Sequence, residues 1–385
     1  MQTDIAVIGA GPAGLAFTAF LANRGYRITL VDRQSREELA APQDDGREIA
    51  LTHKSVRLLK SLGAWQRLQA DEVSELASAQ VVNGRSPYCL QFDDRGPLGY
   101  IVPNAAIRRV LHEVVSTQQN VQFLDNTAVV GTTVNEDCRL LRFDNGEQLA
   151  AALVVAADSR FSDTRRVAGI GADMRDFGRV AIVGRVRTDK PHENIARECF
   201  RYGSTLALLP LADAQLSSAV VTVPASRGSE MMALSDDDFA GHVARESGDA
   251  PGSVTCVGKR HSYPLVAVYA KNFCTERMAL IGDAAVGMHP VTAHGFNLGL
   301  ASADSLAHQL QRPASLRKNS AQGRALAKYQ FIHRLESLPI YQGTNRVVGL
   351  FTDDRWPAKF LRKAVLRVSN NFSPIRRAIT YQLTR

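Results

Sequence analysis

Two short stretches carry residue types and spacings suited to chemistry rather than to a core. The first is Gly9-Ala-Gly-Pro-Ala-Gly14 followed by Asp32. Gly9 permits a tight turn, Gly11 lets the backbone approach a pyrophosphate, and Gly14 lets a helix pack closely on a strand. Asp32, 23 residues beyond Gly9, is placed to accept from a ribose hydroxyl. The second stretch runs from Ala279 to Leu300 and holds the pair Gly282-Asp283, the turn His289-Pro290 and the run Gly295-Phe-Asn-Leu-Gly299. Asp283 offers two acceptors to hydroxyls, and Gly295 and Gly299 leave room for something to lie against the backbone. The helix that follows has unpaired N–H groups in its first turn for a polar ligand. Alone, this stretch also reads as a strand–loop–helix connection that merely favours glycine, but the independent N-terminal motif is not explained that way.

Positioning these groups requires particular elements. Thr3–Ile8 reads as a buried parallel strand, Leu15–Arg24 as a helix closed by Gly25, and Tyr26–Val31 as the next strand. Together they form a βαβ dinucleotide unit, in which Pro12, Ala13 and Arg33 join the cofactor-binding set. A nicotinamide dinucleotide needs no second loop far down the chain. A flavin is longer, so one site holds its adenine half and the distant loop its ribityl chain; the expected cofactor is FAD. Between the motifs, 45–63 reads as a loop and then a helix, with Arg47 either near a cofactor phosphate or isoalloxazine edge or simply on the surface. Another helix begins near Asn104, read as its cap, with Arg108 one turn in. Short strands and a hairpin signal at Asp144-Asn-Gly146 lead to a buried strand ending at Asp158, with Ser162 and Arg165 opening a helix. From Arg179 to Pro224 the pattern alternates, as in an antiparallel sheet with one buried face, and is assigned to substrate enclosure. Helix resumes near Ser235, and 258–265 returns the chain to the first domain. After Asn297 the chain reads as helical, broken at Pro313, Pro339, Pro357 and Pro374.

The chain has 385 residues, 45% apolar and 22% charged, which suits a globular protein of two domains. Five scattered cysteines without Cys-x-x-Cys spacing argue against a zinc site or a disulfide framework and point to a reducing compartment. The apolar run Ile5–Ala22 follows Asp4, has no basic residue before it and contains four backbone-special residues, so a cofactor turn explains it and a targeting segment does not. A cytoplasmic location is expected. The net charge of +8 is concentrated at the end: from Arg355 onwards there are eight basic residues and no acid, interleaved with apolar ones. Such a segment suggests peripheral association with an anionic membrane or a biosynthetic complex, or simply a capping helix with a solvated basic face. Nothing supports nucleic-acid binding.

In this order the motifs resemble those of the class A flavoprotein aromatic hydroxylases, and within them the ubiquinone-biosynthesis branch. The resemblance runs from Asp4 to about Arg334 and rests on Gly9-x-Gly11-x-x-Gly14, Asp45-Gly-Arg47, Asp158-x-x-x-Ser162-x-x-Arg165, and Gly282-Asp283 through Gly299. It implies an α/β fold: a Rossmann-like FAD domain of the glutathione-reductase type (1–75, 100–175 and 265–335), an inserted antiparallel substrate domain (76–99 and 176–264) and a basic C-terminal helical region (336–385). It further implies that Gly9, Gly11, Gly14 and Asp32 hold the ADP half of FAD, and that Arg47 and Arg108 approach from the side. Asp158 would belong to a motif used for both FAD and NAD(P)H, and Asp283 would bind the ribityl chain. Pro290, Gly295, Phe296 and Asn297 would line the isoalloxazine. Ser159, Val286, His294 and Ser302 depart from the family's usual glycine, histidine, glutamine and aspartate. The departures resemble a demethoxyubiquinol hydroxylase subgroup of broader ring-position choice.

The implied reaction has NAD(P)H reduce FAD and leave. The reduced flavin and O2 then form a hydroperoxide whose distal oxygen attacks the electron-rich ring of a prenylated phenol. Pro290, His294 and Gly295 are the expected catalytic positions. His289 is expected to be structural, while His294 either steers protons or bonds the backbone. Rival expectations are a hydroxylase of a soluble aromatic or pigment precursor, a flavin-dependent reductase of a prenylated substrate, and a flavin-bearing scaffold subunit.

Overall fold

The structure is a computed structural model that describes residues 1–84, 89–93, 96–201, 203–248, 252–290, 293–310 and 319–352. Its first sheet is built from the βαβ unit. Gln2–Ile8 pairs in parallel with Ile28–Val31 on one side and Gln148–Ala156 on the other. Val121–Leu124 and Met278–Leu280 extend it in parallel at either flank. The apolar run expected to be a cofactor turn is strand, glycine turn and helix Pro12–Phe20, with proline in the first turn, where its missing N–H costs nothing. Strands buried on both faces read as unbroken apolar runs, and Ile5, Val7, Leu153 and Val155 are all fully buried.

The second sheet has eight strands and two very long members, Ala172–Thr188 and Val254–Ala270, paired antiparallel along most of their length. Leu216–Pro224, Thr205–Pro210 and Ile195–Phe200 follow antiparallel. The next pairing, Ile195–Phe200 with Ser78–Asn83, is parallel, an exception to the expected antiparallel sheet. One face of this sheet carries Ile182, Leu206, Val221 and Val223 into a core closed by Met231, Phe239 and Val243 of the helices Gly228–Ala233 and Asp236–Ser247. The second helix starts at the expected Ser235, whose hydroxyl accepts from the Asp238 amide.

Three local expectations are corrected. The stretch 45–63 holds a strand, Glu48–Leu51, before its helix His53–Ser61; it pairs with Gly99–Pro103 in a three-stranded sheet. Asn104 does not cap the helix Asn104–Ser116: Pro103 occupies the cap position, and the Asn104 amide donates to Asp45 at 2.8 Å. The segment 258–265 is the middle of the long strand Val254–Ala270, which leads back to Cys274–Thr275 and Met278–Leu280 of the first sheet as expected. Pro339 does not break the last helix, which runs from Asn319 to Thr352 with Pro339 inside it. Tyr329 on that helix is fully buried and donates to the Leu280 carbonyl, so packing holds the helix where proline removes one bond. Pro313, Pro357, Pro374 and the basic segment from Arg355 lie outside the described residues. Among the described residues no helix is long and apolar enough to cross a membrane.

Candidate active site

The two glycine motifs meet. A Cβ on Gly282, whose φ is +59°, would stand 2.8 Å from the Ala13 Cβ, so the Gly-Asp loop lies directly on the N-terminal turn. Gly9 has φ +105°, and a Cβ there would stand 2.6 Å from the Ala157 carbonyl oxygen. At Gly14 it would stand 1.9 Å from the Gly9 carbonyl oxygen, so only glycine lets this helix and turn pack. Gly11 is different: a Cβ there meets nothing within 4 Å. The turn therefore presents bare backbone to open space, a cradle that fits a diphosphate.

Around the cradle each carboxylate is held by defined donors. Asp32 Oδ2 accepts from the Ala10 amide at 2.6 Å and Oδ1 from the Gln34 amide at 2.8 Å. Gln34 in turn accepts from Arg108 at 2.5 Å. Arg33 is largely exposed and pairs with Asp163. Asp158 accepts from the Ser162 hydroxyl at 2.5 Å and the Thr164 amide at 3.0 Å, which fixes the start of the helix Asp163–Val167. Asp283 pairs with Arg160 at 3.1 Å. Arg165, fully enclosed, donates to the Ala284 and Arg160 carbonyls and so ties the two loops that carry Asp158 and Asp283. Ser302 accepts from the Gly282 amide at 2.9 Å and donates to the Gly299 carbonyl at 2.6 Å.

Arg47 is neither a loose surface group nor free. It forms a charge-assisted pair with Asp45 at 2.6 Å and lies 5.5 Å from the centre of the Tyr263 ring. Tyr263 donates to the Asp45 carbonyl at 2.5 Å. Burial pushes the Asp45 carboxyl up, but the bond and charge of Arg47 and the Asn104 amide outweigh it and leave it below its ordinary value.

One continuous cavity of about 830 Å³ joins these groups. It runs from Gly9, Asp32 and Arg108, past Asp158, Asp283 and Pro290, to the inner face of the second sheet. Gly11, Pro12, Ala13, Arg33, Arg47, Gly282, Gly295 and Phe296 also line it. Gly14, His294 and Asn297 do not. Gly14 acts in packing, as above. Asn297 spends its amide on the scaffold: it accepts from the Thr52 amide at 3.1 Å and donates to the Ala50 and Ala293 carbonyls, both at 2.8 Å. His294, the first residue of the helix His294–Gln309, is buried. His289 does line the cavity and packs edge-on against Phe177, 4.8 Å between ring centres. Burial, with Arg179, Arg160 and Arg175 nearby, pushes its imidazole down to about 4, so it is neutral at pH 7.

Two non-glycine residues on the cavity wall have left-handed backbones, Ser159 at φ +86° and Ala293 at φ +53°. Ser159 stands where the family's glycine would be unstrained. His289 is not alone among the titratable groups of this face. Glu48, Arg160, Glu198 and Tyr263 also line the cavity. Glu48 pairs with Arg185 at 2.9 Å, yet burial outweighs that pairing and pushes its carboxyl up to about 7. For Glu198 the only available signal was its place on an alternating strand, which does not say which face looks inward.

Comparison with known proteins agrees with this geometry. The model of a family described as "FAD binding domain" matches residues 2–334. The chain is 44% identical to ubiquinone hydroxylase UbiM of Neisseria meningitidis, over all of this chain and 85% of that protein. It is 31% identical to ubiquinone hydroxylase UbiL of Rhodospirillum rubrum, over 97% of this chain and 87% of that one. The crystal structure of p-nitrophenol 4-monooxygenase PnpA from Pseudomonas putida shares the fold, with a TM-score of 0.76 at 17% identity over 100% and 98% of the two chains. A glycine cradle with open space before it, a carboxylate at each end and relatives of this kind along the whole chain lead to one assignment: the chain belongs to the FAD-dependent monooxygenases, in the branch of the ubiquinone hydroxylases.

Proposed function

We propose that this chain hydroxylates the aromatic ring of a ubiquinone precursor, a prenylated phenol or quinol, with NAD(P)H as reductant and O2 as the oxygen source. The observation that carries this reading is the continuity of the cavity from the dinucleotide cradle to an apolar sheet face formed by Ala181, Val183, Ala207, Leu209 and Val220. An aromatic ring with a hydrocarbon tail suits such a wall. FAD, when bound, supplies the activation of O2 with electrons from NAD(P)H, chemistry that no side chain here provides.

The chain's own residues bind, orient and exclude water. Gly9, Gly11, Pro12 and Ala13 hold the diphosphate end, and Asp32 takes a ribose hydroxyl on lone pairs that its two amide bonds leave open. Asp283 takes the ribityl hydroxyls, with Arg47, Arg108 and Asp158 arranged around the cofactor. Pro290, Gly295 and Phe296 border the isoalloxazine. The first-turn amides of the helix His294–Gln309 face it and favour negative charge there. His289 has no proton to give near neutrality. His294 and Asn297 do not line the cavity, so Pro290 and Gly295 remain as the positions closest to the chemistry. The sequence contains no second Gly-x-Gly-x-x-Gly unit, which suits a reductant that binds transiently. The same proposal includes the division into a cofactor domain and an inserted substrate domain, and peripheral membrane or complex association through the basic segment after Arg355.

The test is the quinone profile, by mass spectrometry, of a host lacking its own ring hydroxylases, with and without this gene. Restored ubiquinone, or a precursor carrying one more oxygen, is expected and identifies the ring position. An unchanged profile with yellow protein present would sink the reading in favour of a soluble aromatic substrate or a reductase.

A further inference from the structure

One carboxyl in the cavity has no task in this scheme. Glu198 lies on the strand Ile195–Phe200, directly opposite Ala207 of the next strand. Period-two alternation sends its neighbour Cys199 into the core beneath Phe239 and turns Glu198 the other way, onto the cavity wall. The row across the sheet from Glu198 is Ala207, Val220 and Val183, all small or aliphatic and all facing the cavity. Glu198 is half-buried, and the surface it keeps opens into that cavity.

Among the described residues Glu198 has no hydrogen-bond or ion-pair partner. Glu48, the other glutamate on the wall, is met by Arg185. No cation stands near enough to Glu198 to matter, and burial alone pushes its carboxyl up to about 8. At neutral pH it is an uncharged acid with one O–H donor and a carbonyl acceptor. Such a group does nothing for the sheet, because an aliphatic side chain of similar size would pack there without loss of hydration.

We propose that Glu198 recognises the ring hydroxyl of the aromatic substrate and fixes which edge of the ring faces the cofactor. This deepens the hydroxylase reading and rests on it. The carboxyl carbonyl accepts the phenol O–H, and the carboxyl O–H donates to the phenol oxygen or to an oxygen on the adjacent ring carbon. No proton changes hands and no charge is buried, so the contact is complete only with a phenol or quinol in place. A ring whose oxygens are all alkylated satisfies only the donor half.

The experiment is binding of a short-chain 2-prenylphenol and of its O-methyl ether to the FAD-loaded protein, followed by flavin absorbance, for wild type, Glu198→Gln and Glu198→Leu. Wild type should prefer the phenol by about tenfold or more, the size of one well-made buried hydrogen bond. The glutamine variant, which still donates and accepts, should keep most of that preference. The leucine variant should lose it and bind phenol and ether alike, with flavin content unchanged and a melting temperature no lower than wild type. Affinity of wild type for the phenol should fall above about pH 8 as Glu198 ionises, a limb the glutamine variant should lack. A leucine variant that still prefers the phenol, a wild type without preference, or no phenol binding at all would overturn the role of Glu198. Oxygen insertion, scored in the same samples, separates the two ideas. Lost preference in the leucine variant with no product from wild type keeps Glu198 and discards the hydroxylase reading, whereas product with equal preference in both does the reverse.

Discussion

The cofactor end and the substrate end of the cavity are finished to different degrees. At the cofactor end every carboxylate has its donors in place: Asp32 has two backbone amides, Asp158 has Ser162 and Thr164, Asp45 has Arg47 and Asn104, and Asp283 has Arg160. At the other end Glu198 stands in a row with Ala207, Val220 and Val183, and among the described residues nothing pairs with it. A tightly held cofactor is met by a preorganised cradle. A substrate that must enter and leave meets a wall with one bond left for it to make. Glu48, on the strand between the two ends and paired across to Arg185 of the second sheet, shares features of both.

The most drastic way to break this contrast is at the glycines. Gly14→Ala puts a Cβ 1.9 Å from a backbone oxygen that cannot yield, so soluble flavin-bearing protein should be lost altogether. Gly11→Ala has open space, so the protein should fold and purify but bind FAD about tenfold more weakly or worse, as read by flavin absorbance against a titration. Full FAD affinity in Gly11→Ala would mean that the open space before this turn is not where the cofactor lies.

A smaller effect comes from Glu48. Its folded-state carboxyl holds a proton up to about pH 7, well above an unfolded glutamate. The folded state therefore binds more protons between about pH 4.5 and 7, and stability should fall as pH rises through that window and then level. The fall attributable to Glu48 is on the order of 3 kcal/mol. Glu198 adds a slope of the same sign up to about pH 8. Glu48→Gln should therefore flatten the profile only partly, in urea unfolding at pH 5 and pH 8. An unaltered slope would show that this carboxyl does not carry it.

The mildest expected change is a gain. Ser159→Gly removes a left-handed serine at φ +86° and should stabilise the protein by about 1 kcal/mol, a rise of about one degree in melting temperature. FAD affinity should hold. A lower melting temperature would mean that the Ser159 side chain contributes more than its backbone costs.

The same contrast explains what could be read from the sequence. The cofactor end was legible because it is written in residues with few alternative uses, a spaced run of glycines and an acid at a strand end. Part of their division of labour was readable as well, since Gly14 is where helix and turn pack and Gly11 fronts open space. The strand Glu48–Leu51 was not, because four residues between Arg47 and Thr52 show too little alternation to separate from a loop. Asn104 carried the chemistry of a cap, yet Pro103 already set the chain for the helix and the amide was claimed by Asp45. His294 attracted a catalytic reading by its type and its neighbours, but a helix turns each residue by about 100°, and this one is buried and does not line the cavity. Glu198 was hidden for a related reason: alternation tells which residues share a face of a strand, not which face looks into a cavity.

The two long strands of the second sheet cross from one end of the molecule to the other, and their register slips between Asp176 and Val180, four residues apart on one strand, against Val266 and Pro264 on its partner. Gly178, at φ +62°, sits in that slip. Beyond it, the residues that face the substrate are numbered, as it were, from a new origin. An insertion or exchange between Arg179 and Pro264 can be absorbed at this joint without displacing the strand ends beside the cradle. On the proposed division of the chain, the segment 179–264 of one relative, grafted whole onto the rest of another, should carry its substrate preference with it.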